Sequence, residues 1–353
     1  MLNKRILDRD DFHALLGHVD DDLLEKMAER VAKEHIKFFG KSIILYTPLY
    51  LANHCVNQCV YCGYSARNHI KRHQLSMKEI EQEAKAIAET GLRHILVLTG
   101  ESEVETPVEY IISAVRILKK YFASIAIEIY PLSEKDYRRM IDAGVDSLTI
   151  YQEVYDRKRY AEVHPYGPKK NYDFRFEAPE RAAKAGMFNV NVGALLGLHN
   201  PMEEIYQVGC HVKILQDKYP EVNFSVSVPR IRPFEGQTFE SEEVTDRMLV
   251  QMILALKLYL PTVGITLSTR ESKAFRTHML PLGISKMSAG VKTSVGGHGS
   301  DSASDVQFAI ADERSVSEMM NDLKKLGYQP VLKDWVNVSK GENDELYNSD
   351  GCC

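Results

Sequence analysis

The chain has 353 residues, 44% hydrophobic and 26% charged, a globular composition that excludes a disordered, fibrous or disulfide-dense protein. Its 44 basic and 49 acidic residues leave a formal charge of −5, which does not steer it toward nucleic acid or an anionic membrane. No apolar run approaches the ~18 residues of a membrane helix, and the opening MLNKRILDRDDFHALL has no signal-peptide core, so a cytoplasmic enzyme is expected.

The opening segment reads as helices, with Asp20-Asp21-Asp22 forming an acidic first turn before LLEKMAERVAKEHIKFF. From Ser42 the period changes, and SIILYTPLYL reads as a buried strand. Helices are predicted over 77–90, 107–121, 134–143, 174–185, 203–218, 245–260 and 271–278. Each precedes a strand, in turn HILVLTG, SIAIEIY, DSLTIY, FNVNVGALLGL, VNFSVSV, GITLS and GISKMSAG. Gly91, Gly144, Gly186 and Gly283 fall between helix and strand, where a left-handed cap is needed. Eight strands with intervening helices require parallel pairing and right-handed crossovers. The expectation is an α/β fold, a (βα)8 TIM-type barrel, with an open doubly wound sheet as its rival. No GxGxxG or P-loop opens any unit, which weakens that rival. The chain divides on this reading into a helical extension (1–40), the barrel (41–300) and a C-terminal extension (301–353). The last holds a helix and strand, VSEMMNDLKKLGYQPVLKDW, and a frayed tail.

Cys55, Cys59 and Cys62 follow the first strand directly, where a barrel's catalytic-face loops begin. A clustered trio in a cytoplasmic-looking chain points to metal or redox chemistry rather than a disulfide framework. Three thiolates at this spacing can wrap one face of a cuboidal cluster. A [4Fe–4S] cluster takes four ligands, so three leave one iron open for a substrate. Zinc is the alternative, but structural zinc closes with four ligands, and His54 beside Cys55 is poorly placed as a fourth. Cys210 reads as a structural thiol within a helix, and Cys352 and Cys353 as exposed thiols on a mobile tail.

This CxxxCxxC run, with Tyr61 before its last cysteine, resembles the motif of the radical SAM superfamily. The resemblance implies an open iron that binds the amino and carboxyl groups of S-adenosylmethionine. It also implies cofactor-binding roles along the chain. Gly100-Glu101 resembles the Gly-Glu motif that receives the methionine amino group. Tyr151-Gln152-Glu153 stands where family members hold the ribose, and Arg175 matches an arginine that pairs with the methionine carboxylate. Residues 193–197, including Gly193 and Leu196, resemble the strand that backs the adenine. Each has a plainer alternative: a solvated turn acid at Glu101, a helix cap at Gln152-Glu153, an exposed helical face at Arg175, close strand–helix packing at Gly193 and Gly197.

Over 46–335 the chain resembles, in collinear runs, the tyrosine lyases of thiazole biosynthesis, the 2-iminoacetate synthases. The runs include CVNQCVYCGYS, YQEVY, HPYGPKKNYDFR, APERAAKAG, SVPRIRP, LSTRES and SAGVKTSVGG. The resemblance implies reductive cleavage of S-adenosylmethionine to methionine and 5′-deoxyadenosine. L-Tyrosine would be split between Cα and Cβ into 2-iminoacetate and p-cresol. A related tyrosine lyase of [FeFe]-hydrogenase maturation carries a further three-cysteine cluster site that Cys352-Cys353 does not reproduce, so carbon monoxide and cyanide chemistry is not expected here. Arg270 in LSTRES is the candidate clamp for the substrate carboxylate, with Ser268 adding a bond. The alternative is that Arg270 and Glu271 cap a helix or pair with each other. Glu128 and Tyr130 on the third strand, and Arg230 and Arg232 after the sixth, point toward the expected cavity mouth. The Gly-rich run from Ser294 to His298 resembles a phosphate-gripping loop but is expected to border the substrate cavity. The implied partners are a thiazole synthase that takes the imine and a flavodoxin or ferredoxin that supplies the electron. Two alternatives stay open, a radical enzyme acting on another amino acid such as tryptophan and a non-catalytic iron–sulfur or zinc scaffold.

Overall fold

The computed structural model describes residues 2–232, 239–299 and 305–333. The terminal cysteines Cys352 and Cys353, the frayed tail and the KDW end of the last resembling run lie at least in part outside these residues.

Two helices, α1 (Arg9–Leu16) and α2 (Asp21–Phe39), open the chain on Asp8 and Asp20 caps. Eight strands then alternate with helices: β1 (Ser42–Ala52), α3 (Met77–Glu89), β2 (His94–Thr99), α4 (Val108–Leu118), β3 (Ser124–Glu128), α5 (Glu134–Ala143) and β4 (Ser147–Glu153). Three short helices follow, α6 (Arg157–Val163), α7 (Tyr172–Phe176) and α8 (Ala178–Ala185). The alternation resumes with β5 (Asn189–Ala194), α9 (Pro201–Lys218), β6 (Asn223–Ser227), α10 (Asp246–Tyr259), β7 (Gly264–Leu267), α11 (Lys273–His278) and β8 (Ile284–Ser288). Helix α12 (Val316–Lys325) and strand β9 (Gln329–Val331) complete the described chain.

Each strand from β1 to β8 pairs in parallel with its successor, and β8 returns to pair with β1. The barrel is closed, and the open sheet is excluded. Strands covered on both faces need continuous apolar runs, and Ile95, Val97, Ile125, Ile127, Val190 and Val192 supply them at 0–1% exposure. Four glycines expected to cap helices all have positive φ: 92° at Gly91, 118° at Gly144, 93° at Gly186 and 104° at Gly283. Helices α1 and α2 lie against α10, where the Phe12 ring stacks on Tyr259 at 4.5 Å.

Two expectations change. The single helix over 174–185 is two helices broken at Glu177, because Pro179 has no N–H for the Arg175 carbonyl and its ring crowds that group. The strand-like tail is β9, which extends the sheet by pairing in parallel with Ser42, Ile43 and Ile44 of β1. No helix among the described residues is long and apolar enough to cross a membrane.

Candidate active site

One cavity occupies the C-terminal end of the barrel, with about 1600 Å³ of atom-free space including its open mouth. That is room for a cofactor and a substrate together. Cys55, Cys59 and Cys62 line it, and so do Tyr61, Gly100, Glu101, Glu153, Arg175, Ser268 and Arg270. Gln152, Gly193 and Leu196 are not brought to the wall. Gln152 is buried with both side-chain polar atoms unpartnered, and the neighbouring Leu195 reaches the cavity in place of Leu196. At Gly193 a Cβ would meet the Ser227 carbonyl oxygen at 2.3 Å, so this glycine serves close strand packing.

The cysteine loop is seated by its neighbours. Val56 N–H donates to the Glu101 carbonyl at 2.9 Å, and Gln58 and Val60 N–H groups donate to Tyr166 and Val163 carbonyls at 3.1 Å each. Asn57 joins the two sides, its amide nitrogen donating to Glu101 at 2.5 Å and its oxygen accepting from Lys169 N–H at 2.9 Å. Arg72 holds the far end by donating to the Asn53, Tyr64 and Ser65 carbonyls at 2.6–2.8 Å. Gly100 permits this approach, since a Cβ there would meet the His54 carbonyl oxygen at 2.1 Å.

The donor set suits a cluster. Amide nitrogens of Asn57 and Gln307 lie 3.8 Å from the Cys55 and Cys62 sulfurs, as donors to thiolates. Burial pushes the Cys59 thiol up to about 12 and raises Cys62 as well, so a positive metal is needed to hold their charged forms. Among the described residues no three His, Cys, Asp or Glu side chains already stand gathered as ligands of a single ion.

Beside the loop, Tyr61 donates its O–H to His164 Nε2 at 2.6 Å, because His164 Nδ1–H faces the Tyr160 carbonyl at 2.8 Å. Burial lowers the His164 pKa and keeps the ring neutral. Glu153 enters the cavity at a register shift in the β4–β5 ladder, with φ at 70°. It accepts from Lys169 at 2.7 Å and Arg175 at 3.4 Å, while Arg175 also donates to the Tyr151 carbonyl at 2.7 Å.

On the same cavity wall, Arg270 does not pair with Glu271. Glu271 is taken by Arg230 and, at 3.2 Å, by Arg232, and Arg230 does not line the cavity whereas Arg232 does. The Arg270 guanidinium lies 3.5 Å from the Phe308 ring centroid and donates to the Arg230 carbonyl at 3.4 Å. Among the described residues no carboxylate stands within ion-pair distance of it, and burial lowers its pKa. Ser268 accepts from the Arg270 N–H at 3.3 Å. Tyr130 lines the cavity but spends its O–H on the Thr106 carbonyl at 2.6 Å. The Gly-rich run does not border the cavity, and its anion is internal: Glu83 accepts from His298 N–H at 2.8 Å and Gly299 N–H at 2.7 Å.

Sequence reasoning missed Asn57, His164, Lys169, Gln307 and Phe308. The HPYGPKK run held a signal for His164 and Lys169, but nothing in the sequence tied Gln307 and Phe308 to the cavity.

The Radical SAM superfamily model matches residues 49–208, and the Biotin and Thiamin Synthesis associated domain model matches 227–329. The chain is 38% identical to the 2-iminoacetate synthase of Salmonella typhimurium over 335 residues, 95% of this chain and 89% of that protein. The 2-iminoacetate synthase of Escherichia coli gives the same 38% identity and coverage. Among solved structures, the FeFe-hydrogenase maturase HydG from Carboxydothermus hydrogenoformans aligns with a TM-score of 0.88 and 32% identity, covering 94% of this chain and 77% of that one.

Proposed function

The chain belongs to the radical SAM superfamily and within it to the 2-iminoacetate synthases, and on that premise we propose that it is the lyase that splits L-tyrosine between Cα and Cβ. The products are 2-iminoacetate, used for the thiazole ring of thiamine, and p-cresol. The observation that carries this reading is a single cavity lined both by three cysteines and by a guanidinium that has no carboxylate within ion-pair distance among the described residues. A scaffold would have no use for that buried, uncompensated cation.

Cys55, Cys59 and Cys62 are the proposed ligands of a [4Fe–4S] cluster, with S-adenosylmethionine on the open iron. When bound, this pair supplies a one-electron reduction and the abstraction of a hydrogen atom from the substrate amino group. Tyr61, Gly100, Glu101, Glu153 and Arg175, which share the wall with the cysteines, are the residues proposed to position S-adenosylmethionine. Arg270 clamps the tyrosine carboxylate in a two-pronged pair and Ser268 adds a hydrogen bond, which fixes the amino group relative to the cysteine wall. Leu195, Val228 and Ile231 on the wall keep water from the reacting atoms.

On the same reading the chain divides at 1–40, 41–300 and 301–353. The enzyme works in the cytoplasm, draws its electron from a flavodoxin or ferredoxin, and passes its imine to a thiazole synthase. The test is anaerobic incubation of reconstituted protein with S-adenosylmethionine, dithionite and tyrosine. Expected are 5′-deoxyadenosine, p-cresol and, from hydrolysis of the imine, glyoxylate. Deoxyadenosine without p-cresol would reject tyrosine as the substrate, and an intact cluster that yields neither would reject the radical lyase.

A further inference from the structure

The cavity floor holds a charge that no role above uses. Glu128 closes β3, and the ladder register sets it level with Leu98 of β2, itself level with Tyr50 of β1. All three line the cavity. They lie on the strands themselves, whereas Ser268, Arg270, Glu101, Arg175 and the cysteines come from segments beyond the strand ends. Glu128 is thus below the rim, on a floor it shares with strand residues that include Tyr46, Tyr50, Leu98, Tyr151, Ser227 and Thr266.

Among the described residues no group donates a hydrogen bond to its carboxylate and no cation stands within ion-pair distance. The groups that face it are Tyr46 and Tyr50 of β1, Tyr151 and Glu153 of β4, Lys169, Arg175 of α7, and Arg270 after β7. Burial first, then the Glu153 charge, raise the carboxyl to about 7 against the pull of Arg270, Arg175 and Lys169. An acceptor that no group of the protein reaches is costly in a buried wall unless a ligand brings the donor. An amino acid whose carboxylate is held at the rim by Arg270 directs its side chain downward, ring against Tyr50 and Leu98, para-hydroxyl toward Glu128.

We propose that Glu128 accepts the phenolic proton of the bound tyrosine, as a catalytic and specificity-determining residue; this assignment rests on the tyrosine-lyase reading. In the step the phenol O–H bond breaks, the proton bonds to a Glu128 carboxylate oxygen, and the electron pair stays on the phenolic oxygen. The charge spreads through the ring to the benzylic carbon as the Cα–Cβ bond opens. Return of the proton restores the hydroxyl, while a second electron from the flavodoxin or ferredoxin donor and a proton from solvent turn the benzylic radical into the methyl group of p-cresol, so the carboxylate ends each turnover as it began. A carboxyl titrating near neutrality lies closer to a phenol, at ~10, than an ordinary carboxylate at ~4, which makes the transfer less uphill. The same contact selects against phenylalanine, which brings no donor to an acceptor left buried.

Glu128→Gln keeps the shape and removes the base, and Glu128→Leu removes the acceptor as well; thermal melts check that both fold. In reconstituted wild-type enzyme, kcat/KM for p-cresol formation is expected to rise as pH rises through about 7, because the base acts when deprotonated. The glutamine variant is expected to lose that limb and to fall roughly ten- to a hundredfold, the scale of one charge-assisted hydrogen bond. Calorimetry gives a readout free of turnover: wild type is expected to bind p-cresol about tenfold or more tighter than its methyl ether 4-methylanisole, and Glu128→Leu to bind them alike. An unchanged rate and pH limb in Glu128→Gln, or equal binding of the two probes by wild type, would overturn the assignment and leave the lyase standing. Wild-type enzyme that makes deoxyadenosine but no p-cresol would instead overturn the lyase reading beneath it.

Discussion

Arg270 is held without being neutralised. Its plane rests on the Phe308 ring, one N–H reaches the Arg230 carbonyl, and Arg230 occupies the Glu271 carboxylate that would otherwise quench it. A guanidinium kept unpaired in a buried wall is ready for an incoming carboxylate. Arg270→Ala is therefore expected to abolish most p-cresol formation, by a hundredfold or more on the ~3 kcal/mol of a buried charge-assisted pair, while iron bound per chain stays at the wild-type level. Wild-type p-cresol formation in that variant would remove the clamp. The residues legible in the sequence that line the cavity, the cysteines, Glu101, Arg175 and Arg270, lie in short contiguous motifs. Asn57 and His164 were not legible in that way, because an amide bridging two loops and an imidazole seating Tyr61 act only through neighbours far along the chain.

At the scale of elements, periodicity located every barrel strand because both faces of a closed parallel sheet are covered and the runs stay apolar. It did not locate α6, a two-turn helix capped by Asp156, nor the break between α7 and α8, where the apolar spacing continues through Glu177 and only Pro179 marks the stop. The break matters to the site, since it ends α7 just after Arg175, which is turned into the barrel. The turn after β2 matters more. Gly100 lets the cysteine loop lie directly on it, and a methyl group there would collide with the His54 backbone rather than a movable side chain. Gly100→Ala is expected to displace the loop at an overpacking cost of about 1–3 kcal/mol, lowering both melting temperature and iron retained after reconstitution. Full iron content with an unchanged melt would show that the loop has another seat.

The whole molecule closes its cavity with chain that follows the barrel. Gln307 accepts from the Tyr50 hydroxyl at 2.9 Å, and the Ala311 N–H bonds the Thr269 carbonyl at 2.8 Å. A buried ionic group pins this segment: Asp312 meets Arg276 and Arg314 at 2.5 Å each, and Arg276 also donates to the Ser288 carbonyl at 2.5 Å. Nothing in the sequence pointed to that return, because Arg276 stands 36 residues before Asp312 and nothing in the pattern marks the pair as buried. Burial alone would raise the Asp312 carboxyl, but hydrogen bonds from Arg314 and the charge of Arg276 bring it down to about 2. A depressed carboxyl stabilises the fold fully above its ordinary ~4 and loses that contribution as pH falls toward 2. Asp312→Asn is expected to cost about 3–5 kcal/mol at neutral pH by leaving the buried Arg276 guanidinium uncompensated and Arg314 with Asp322 alone, and to flatten the acid limb of the melting curve between ~4 and ~2. An unaltered melt at neutral pH would show that the arginines find other acceptors. The placing of β1 has a further consequence in time. It bonds to β2, which follows it, and also to β8 and β9, which are made only after all the strands between. A chain emerging from the ribosome therefore carries its three thiols just beyond a strand with two of its three neighbours unmade, and the Gln307 amide beside Cys62 arrives only after β8. The three thiols reach their finished seat only after β8, β9 and the Gln307 segment have all been made, so any metal they take is taken late in the making of each molecule.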